Sequence, residues 1–258
     1  MNSWEQRERA RQILAKEVGY ITKPHGDRLR VALAFPNTYW VGMSNLGFQT
    51  VYRLFNAEPD IVCERFFLPP KQELAALSAA KAPLLTLESQ TPVSEFDIVA
   101  FSVSFEWDYV NVLTLLRLAG IPAPASERTE RHPLIVIGGA VTFVNPEPLA
   151  PFADVIAAGE GEVLIPGLRR AMAEATDRAD LLTRLSNERG FYVPSFYEPQ
   201  YAADGTLAAY TARDGAPLPV RKAALKTTEA VDPPATTIFT PDTEFGSRFL
   251  VEVVRGCA

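Results

Sequence analysis

Cysteine, histidine and long apolar runs are scarce in this 258-residue chain, and each scarcity closes off a class of function. Two cysteines, Cys63 and Cys257, cannot build a disulfide framework, and their scarcity points to a reducing cytoplasm. The two histidines, His25 and His132, sit in no metal-ligand spacing and read as surface or loop residues. No apolar stretch exceeds about nine residues, far short of the roughly 20 that span a bilayer, so nothing suggests membrane insertion. Met1 to Lys16 is dense in Glu, Arg and Gln and lacks an apolar h-region, which excludes a secretory signal. The 25 basic residues form no long block against 31 acidic ones, and the net charge of −6 leaves no electrostatic footprint for nucleic acid. There is no P-loop, no Ser/His/Asp set, no internal repeat and no low-complexity tract.

What is present is a regular alternation of apolar runs and helical patterns. Leu29 to Phe35, Ile61 to Phe67, Asp97 to Phe105, Pro133 to Ile137 and Asp154 to Ala157 read as strands, the third apolar almost throughout, as a strand covered on both faces must be. A possible further strand lies at Leu84 to Leu87. Gly42 to Asn56, Lys71 to Lys81, Tyr109 to Ala119 and Val163 to Ala175 read as the intervening helices. The pattern predicts an α/β fold, a doubly wound parallel sheet with helices on both faces. Residues 1–28 form an N-terminal helical arm with a thin apolar stripe (Trp4, Ile13, Leu14, Val18), and residues 29–187 the α/β domain. Residues 188–229 form a connecting segment with a small β-hairpin about the Ala203-Asp204-Gly205 turn. The Pro-bearing stretch 230–247 reads as a linker, and 248–258 begins a new strand, apolar on both faces.

In a parallel sheet the loops at the carboxyl ends of the strands share one edge, where ligands bind. Three such loops stand out: Asn37, Thr38, Tyr39 and Gly42 after the first strand; Ser102, Ser104, Phe105 and Glu106 after the third; Gly138, Gly139, Ala140 and Thr142 after the fourth. The paired glycines allow a flat ligand close to the backbone, and the serine hydroxyls can donate to a ring nitrogen. A groove lined by such small residues suits an inserted aromatic tail better than a phosphate. Gly159 and Glu160 open the last helix and are candidate ligand-binding residues, the Glu160 carboxylate able to meet amide groups of a ligand, with helix capping as its ordinary role. Each loop taken singly is also an ordinary turn. Cys63, within a strand, reads as a small buried hydrophobe.

Taken together, the loop Asn-x-Tyr-x-x-Gly, the later Ser-x-Ser and the Gly-Gly resemble the corrinoid-binding pattern Asp-x-His-x-x-Gly, Ser-x-Leu and Gly-Gly. The runs PNTYWVGMSNLG, LLTLESQTPVSEFDIVAFSVSFEWDYVNVLTLLRLAGIP, IGGAVTFVNPEPLAPFADVIAAGEGE and FLVEVVRGC resemble the B12-binding radical SAM proteins, from about Leu29 onward. That resemblance implies a Rossmann-like or flavodoxin-like cobalamin-binding fold, followed by the truncated start of a radical SAM barrel that would act in cis. It implies cobalamin as cofactor. In a full-length parent it implies a 4Fe-4S cluster that binds S-adenosylmethionine, with Cys257 as the first of its iron ligands and the other two cysteines beyond Ala258. The sequence departs from the pattern at the metal: Asn37 replaces the Asp and Tyr39 the His, and a neutral phenol is a poor cobalt ligand. The resemblance therefore implies a base-off corrinoid with no axial His, with Tyr39 covering its lower face. This chain alone would supply the cobalamin module and not the radical step. A corrinoid-free scaffold or substrate-docking domain with the same fold, and a flavodoxin-like nucleotide-binding domain, are the alternatives.

Overall fold

Apolar runs become strands and amphipathic stretches become the helices that cover them. The computed structural model describes residues 2–227 and 231–254, and Cys257 lies outside the described residues. The arm helix α1 (Ser3–Leu14) opens with a capping box, in which Asn2 accepts from the Glu5 amide and the Glu5 carboxylate accepts from the Asn2 amide. Then come β1 (Leu29–Phe35), the short α2 (Tyr39–Met43), α3 (Leu46–Ala57), β2 (Ile61–Phe67) and α4 (Lys71–Ala80). β3 (Ile98–Ser102), α5 (Tyr109–Leu118), β4 (Leu134–Gly138), β5 (Val155–Ala157), α6 (Gly161–Glu174), α7 (Arg178–Asn187) and β6 (Phe191–Tyr192) complete the sandwich, and β7 (Tyr197–Tyr201) with β8 (Leu207–Ala212) form the hairpin.

The six-stranded sheet has the order β2-β1-β3-β4-β5-β6, parallel except for β6. This is the doubly wound flavodoxin-like order with an antiparallel edge, and the order reverses between β1 and β3. Alternation along the strands divides the core. Val31, Leu33 and Phe35 of β1 face α3, α6 and α7, while Ala32 and Ala34 face the side covered by α5. The segment Leu84 to Leu87 forms no strand: Leu85 makes an isolated bridge to Pro92, and the Leu84 carbonyl and Thr86 amide bond to Val93 and Thr91 beside it.

β2 is the outer strand, yet it is buried along its whole length. Its free edge is closed by side chains. Asn56 donates to the Cys63 carbonyl (3.0 Å) and accepts from the Cys63 amide (3.1 Å). Glu88 accepts from the Arg65 amide (2.7 Å), and the Leu87 amide donates to the Arg65 carbonyl (2.8 Å). An edge so closed offers no template to another strand.

The stretch after the hairpin runs back over the domain. Gln49 of α3 accepts from the amides of Thr237 and Ile238, and Ser44 accepts from the Glu244 amide. Lys16 pairs with Asp242 (2.8 Å), and Val18 and Phe239 exchange two backbone hydrogen bonds of 2.9 Å. The Pro-bearing stretch thus lies packed as a strap from residue 234 to 244, with Thr236, Ile238, Thr240 and Thr243 buried. Val251 bridges Ala235 of the same strap, leaving Phe249, Val253 and Val254 exposed. No helix among the described residues is long and apolar enough to cross a membrane.

Candidate functional site

Small side chains on three neighbouring strands leave a void beneath the carboxyl edge of the sheet. Ala100 and Ser102 of β3, Val136 and Gly138 of β4, and Ala157 of β5 all project toward the α3/α6 side. Opposite them stand Val51 and Phe55 of α3 and Leu164 and Leu168 of α6. The cavity between has a volume of about 280 Å³, and its mouth is framed by Asn45, Ser104, Gly139 and Gly159. Asn45 serves twice there: its side-chain oxygen caps α3 by accepting from the Phe48 amide (2.9 Å), and its amide donates to Ser104 Oγ (3.3 Å).

Two of the mouth positions admit only glycine. Gly139 has φ +98°, and a Cβ there would lie 2.5 Å from the Val103 carbonyl oxygen. Gly159 has φ +146°, and its Cβ would lie 2.1 Å from the Ala223 carbonyl oxygen. The backbone of residues 222–225 therefore lies directly against this turn. Ala223 donates to the Ala158 carbonyl (2.9 Å), the Glu160 amide donates to the Ala223 carbonyl (3.0 Å), and the Glu160 carboxylate accepts from the Leu225 amide.

Of the residues the sequence singles out, Ser102, Ser104, Gly138, Gly139, Ala140 and Gly159 line this cavity together. The others lie elsewhere. Thr142 donates to the Gly139 carbonyl (2.9 Å). Phe105 and Glu106 are exposed on the loop after β3. Gly42 packs where a Cβ would meet the Phe67 ring at 2.5 Å. Asn37 donates to Asp108 Oδ1 (2.9 Å) and accepts from the Thr38 amide (2.8 Å).

Thr38 and Tyr39 line a separate cavity of about 450 Å³ between α1, α4 and the end of β2. The Tyr39 ring stands edge-on to Phe67 at 5.3 Å, and its hydroxyl donates to Glu17 (2.6 Å). Burial, and then the Glu17 carboxylate, push the Tyr39 pKa well above the usual phenol range. Glu17 belongs to a buried cluster centred on Arg65. The guanidinium donates to both Glu17 oxygens (2.8 and 2.6 Å) and to Glu88 (2.6 Å), and it lies 5.0 Å from the Tyr52 ring centroid. Burial works against the Arg65 charge, but Glu88 and Glu17 outweigh it and hold the proton more tightly than usual.

Sequence reasoning missed Asp108. It is buried after β3, accepts on Oδ1 from Asn37 and from Asn111 (3.2 Å), and has no partner on Oδ2. Burial pushes its carboxyl upward. It also missed the roof of the cavity, whose signal was faint: Asn45 as a cap before Leu46, and glycines at both Gly47 and Gly161. Among the described residues, no group of three or more His, Cys, Asp or Glu side chains could hold a metal ion.

A family model described as radical SAM proteins, N-terminal, matches residues 47–194, more than half of the chain, from α3 to the residues just after β6. That span carries β3, β4 and β5 of the cavity floor and both helices of its roof, while Leu33 of β1 and Asn45 precede it. No curated protein and no solved structure matches the chain significantly. A match of this extent, on the segment that builds the cavity, shows that the chain belongs to the radical SAM proteins through the N-terminal domain of that family.

Proposed function

We propose that this chain is a cofactor-binding domain of a radical SAM protein, and that the cavity between α3 and α6 takes the aromatic nucleotide tail of a base-off cobalamin. The cavity carries the proposal. Its 280 Å³ compares with the roughly 150 Å³ apolar void that takes a benzene, so one bicyclic ring fits while a corrin macrocycle does not. The macrocycle would rest outside, on the loops of the carboxyl edge. Leu164 and Leu168 shield the inserted ring from water, and the hydroxyl of Ser102 or Ser104 donates to its nitrogen.

The cobalt would have no side-chain ligand from the loop after β1. Tyr39 is committed to Glu17 and Asn37 to Asp108, so these residues suit only a corrinoid held by its tail. Bound cobalamin supplies a methyl carrier or a one-electron partner for radical chemistry. The S-adenosylmethionine and 4Fe-4S cluster of the family are proposed for a longer parent, whose radical SAM barrel would act in cis. A reducing cytoplasm is the proposed setting, in which Cys63 is buried and free.

The test is co-elution of hydroxocobalamin with the chain and a base-off absorption spectrum for the bound pigment. Ala100→Leu places three more carbons in the cavity and should abolish binding while the chain stays folded by circular dichroism. A wild-type chain that binds no corrinoid at saturation would leave the scaffold reading in its place. Undiminished binding by Ala100→Leu would put the tail somewhere else.

A further inference from the structure

The cavity of about 450 Å³ at the carboxyl ends of β1 and β2 shares no lining residue with the one between α3 and α6. Its size suits a small-molecule ligand. Tyr39 and Trp40 of α2 and Phe66 and Phe67 of β2 give it an aromatic wall, and the arm helix α1 supplies Gln6 and Ile13. Such rings favour a flat aromatic partner beyond the area they bury. Four charged side chains also line the cavity, and each has a partner: Arg9 pairs with Glu73, and Lys16 with Asp242 (2.8 Å). A charged ligand would enter without a counter-ion, so the cavity selects a neutral one.

Two uncharged polar groups on its walls are left over. Gln6 is only 8% exposed; its Nε2 donates to the Pro83 carbonyl (3.0 Å), and its Oε1 accepts from no donor among the described residues. Thr38 heads α2 without capping it, and its hydroxyl has no partner among the described residues either. A buried amide oxygen without a donor costs free energy that the O–H or N–H of a ligand would return.

We infer that this cavity is a second binding site, for a neutral aromatic molecule whose O–H or N–H donates to Gln6 Oε1. The arm helix is then part of a ligand site as well as a cover for the domain, and the site stands independently of the cobalamin reading.

Titration calorimetry at pH 7 with 2-naphthol, 2-methoxynaphthalene and 2-naphthoate tests the inference, on the whole chain carrying Ala100→Leu so that the other cavity is filled. 2-Naphthol should bind about tenfold more tightly than 2-methoxynaphthalene, which has no donor, and at least about tenfold more tightly than the charged 2-naphthoate. Gln6→Met keeps the length of the side chain and should bring 2-naphthol down to the level of 2-methoxynaphthalene, leaving the latter unchanged. Thr38→Phe leaves the arm untouched, puts a ring into the cavity and should abolish binding of both, with the chain folded by circular dichroism. No binding of 2-naphthol, equal binding of 2-naphthoate, a preference that survives Gln6→Met, or binding that survives Thr38→Phe overturns the inference. Corrinoid binding is read on the chain without Ala100→Leu, so neither result decides the other.

Discussion

Replacing Arg65 by methionine tests whether the N-terminal arm is tied to the domain by charge. Arg65 is fully buried on the outermost strand and makes three side-chain hydrogen bonds to carboxylates, two to Glu17 of the arm and one to Glu88. Hydrogen bonds to charged groups contribute about 1.5–3 kcal/mol each, but bonds sharing one guanidinium do not add. Removing one member of a buried pair costs about 3–5 kcal/mol, because the partner is left charged and dry. With two carboxylates left behind, Arg65→Met should lose about 4–5 kcal/mol, a large share of the roughly 5–15 kcal/mol that holds a domain together. In urea at pH 7 the midpoint should fall by roughly 2 M for a slope of about 2–3 kcal/mol/M.

Adding Glu17→Gln and Glu88→Gln to Arg65→Met should recover at least half of the loss. Burial already pushes the Glu88 carboxyl upward against the pull of Arg65. Without Arg65 that burial acts unopposed, so the folded pKa of Glu88 lies above its unfolded value. The sign follows: protonated Glu88 is tolerated at acid pH, and stability is lost as pH rises through the folded pKa. Arg65→Met should therefore be closest to wild type near pH 4. A loss below about 1 kcal/mol at pH 7, or no recovery in the triple variant, would refute the reasoning.

Two further substitutions probe the sheet edges. Asp108→Asn removes a charge whose Oδ2 has no partner and whose pKa is raised by burial, so it should increase the melting temperature at pH 7 and change it little at pH 4. An equal shift at both pH values would show that the charge is not the cause. Asn56→Ala uncovers the amide and carbonyl of Cys63 on the outer strand and should cost about 2–3 kcal/mol, read as faster hydrogen exchange at the Cys63 amide. Unchanged protection there would mean that Asn56 does not close that edge.

Two strands were legible to the residue: Leu29 to Phe35 and Ile61 to Phe67 are β1 and β2, although Arg30, Glu64 and Arg65 interrupt their apolar runs. β3 is shorter than its run, because β4 ends at Gly138: the Val103 amide makes the last bond to it, at the Gly138 carbonyl, and the chain then turns away from the sheet. The Ala203-Asp204-Gly205 turn sets the hairpin, as its local chemistry demands. α7 escaped notice although Asp177 caps it, its apolar face being only Leu181, Leu182 and Leu185. β6 has two residues, too few to show a period. The floor of the cavity could be seen in Ser102 and Gly138, since small residues announce themselves along a strand. The roof could not, because a void is a shortfall of volume between elements and no single residue carries it. Tyr39 shows a second limit. Its partner Glu17 comes from the arm, and nothing local to either residue specifies that pair.

The paired backbone bonds between Val18 and Phe239 have a kinetic consequence. Closing a loop of about 220 residues costs roughly 5 kcal/mol of chain entropy, and two hydrogen bonds return only about 1–3 kcal/mol. This clasp cannot nucleate folding. It closes only after the sheet has brought its two halves within reach, and in a refolding time course protection of the Val18 and Phe239 amides should trail that of β1 and β3.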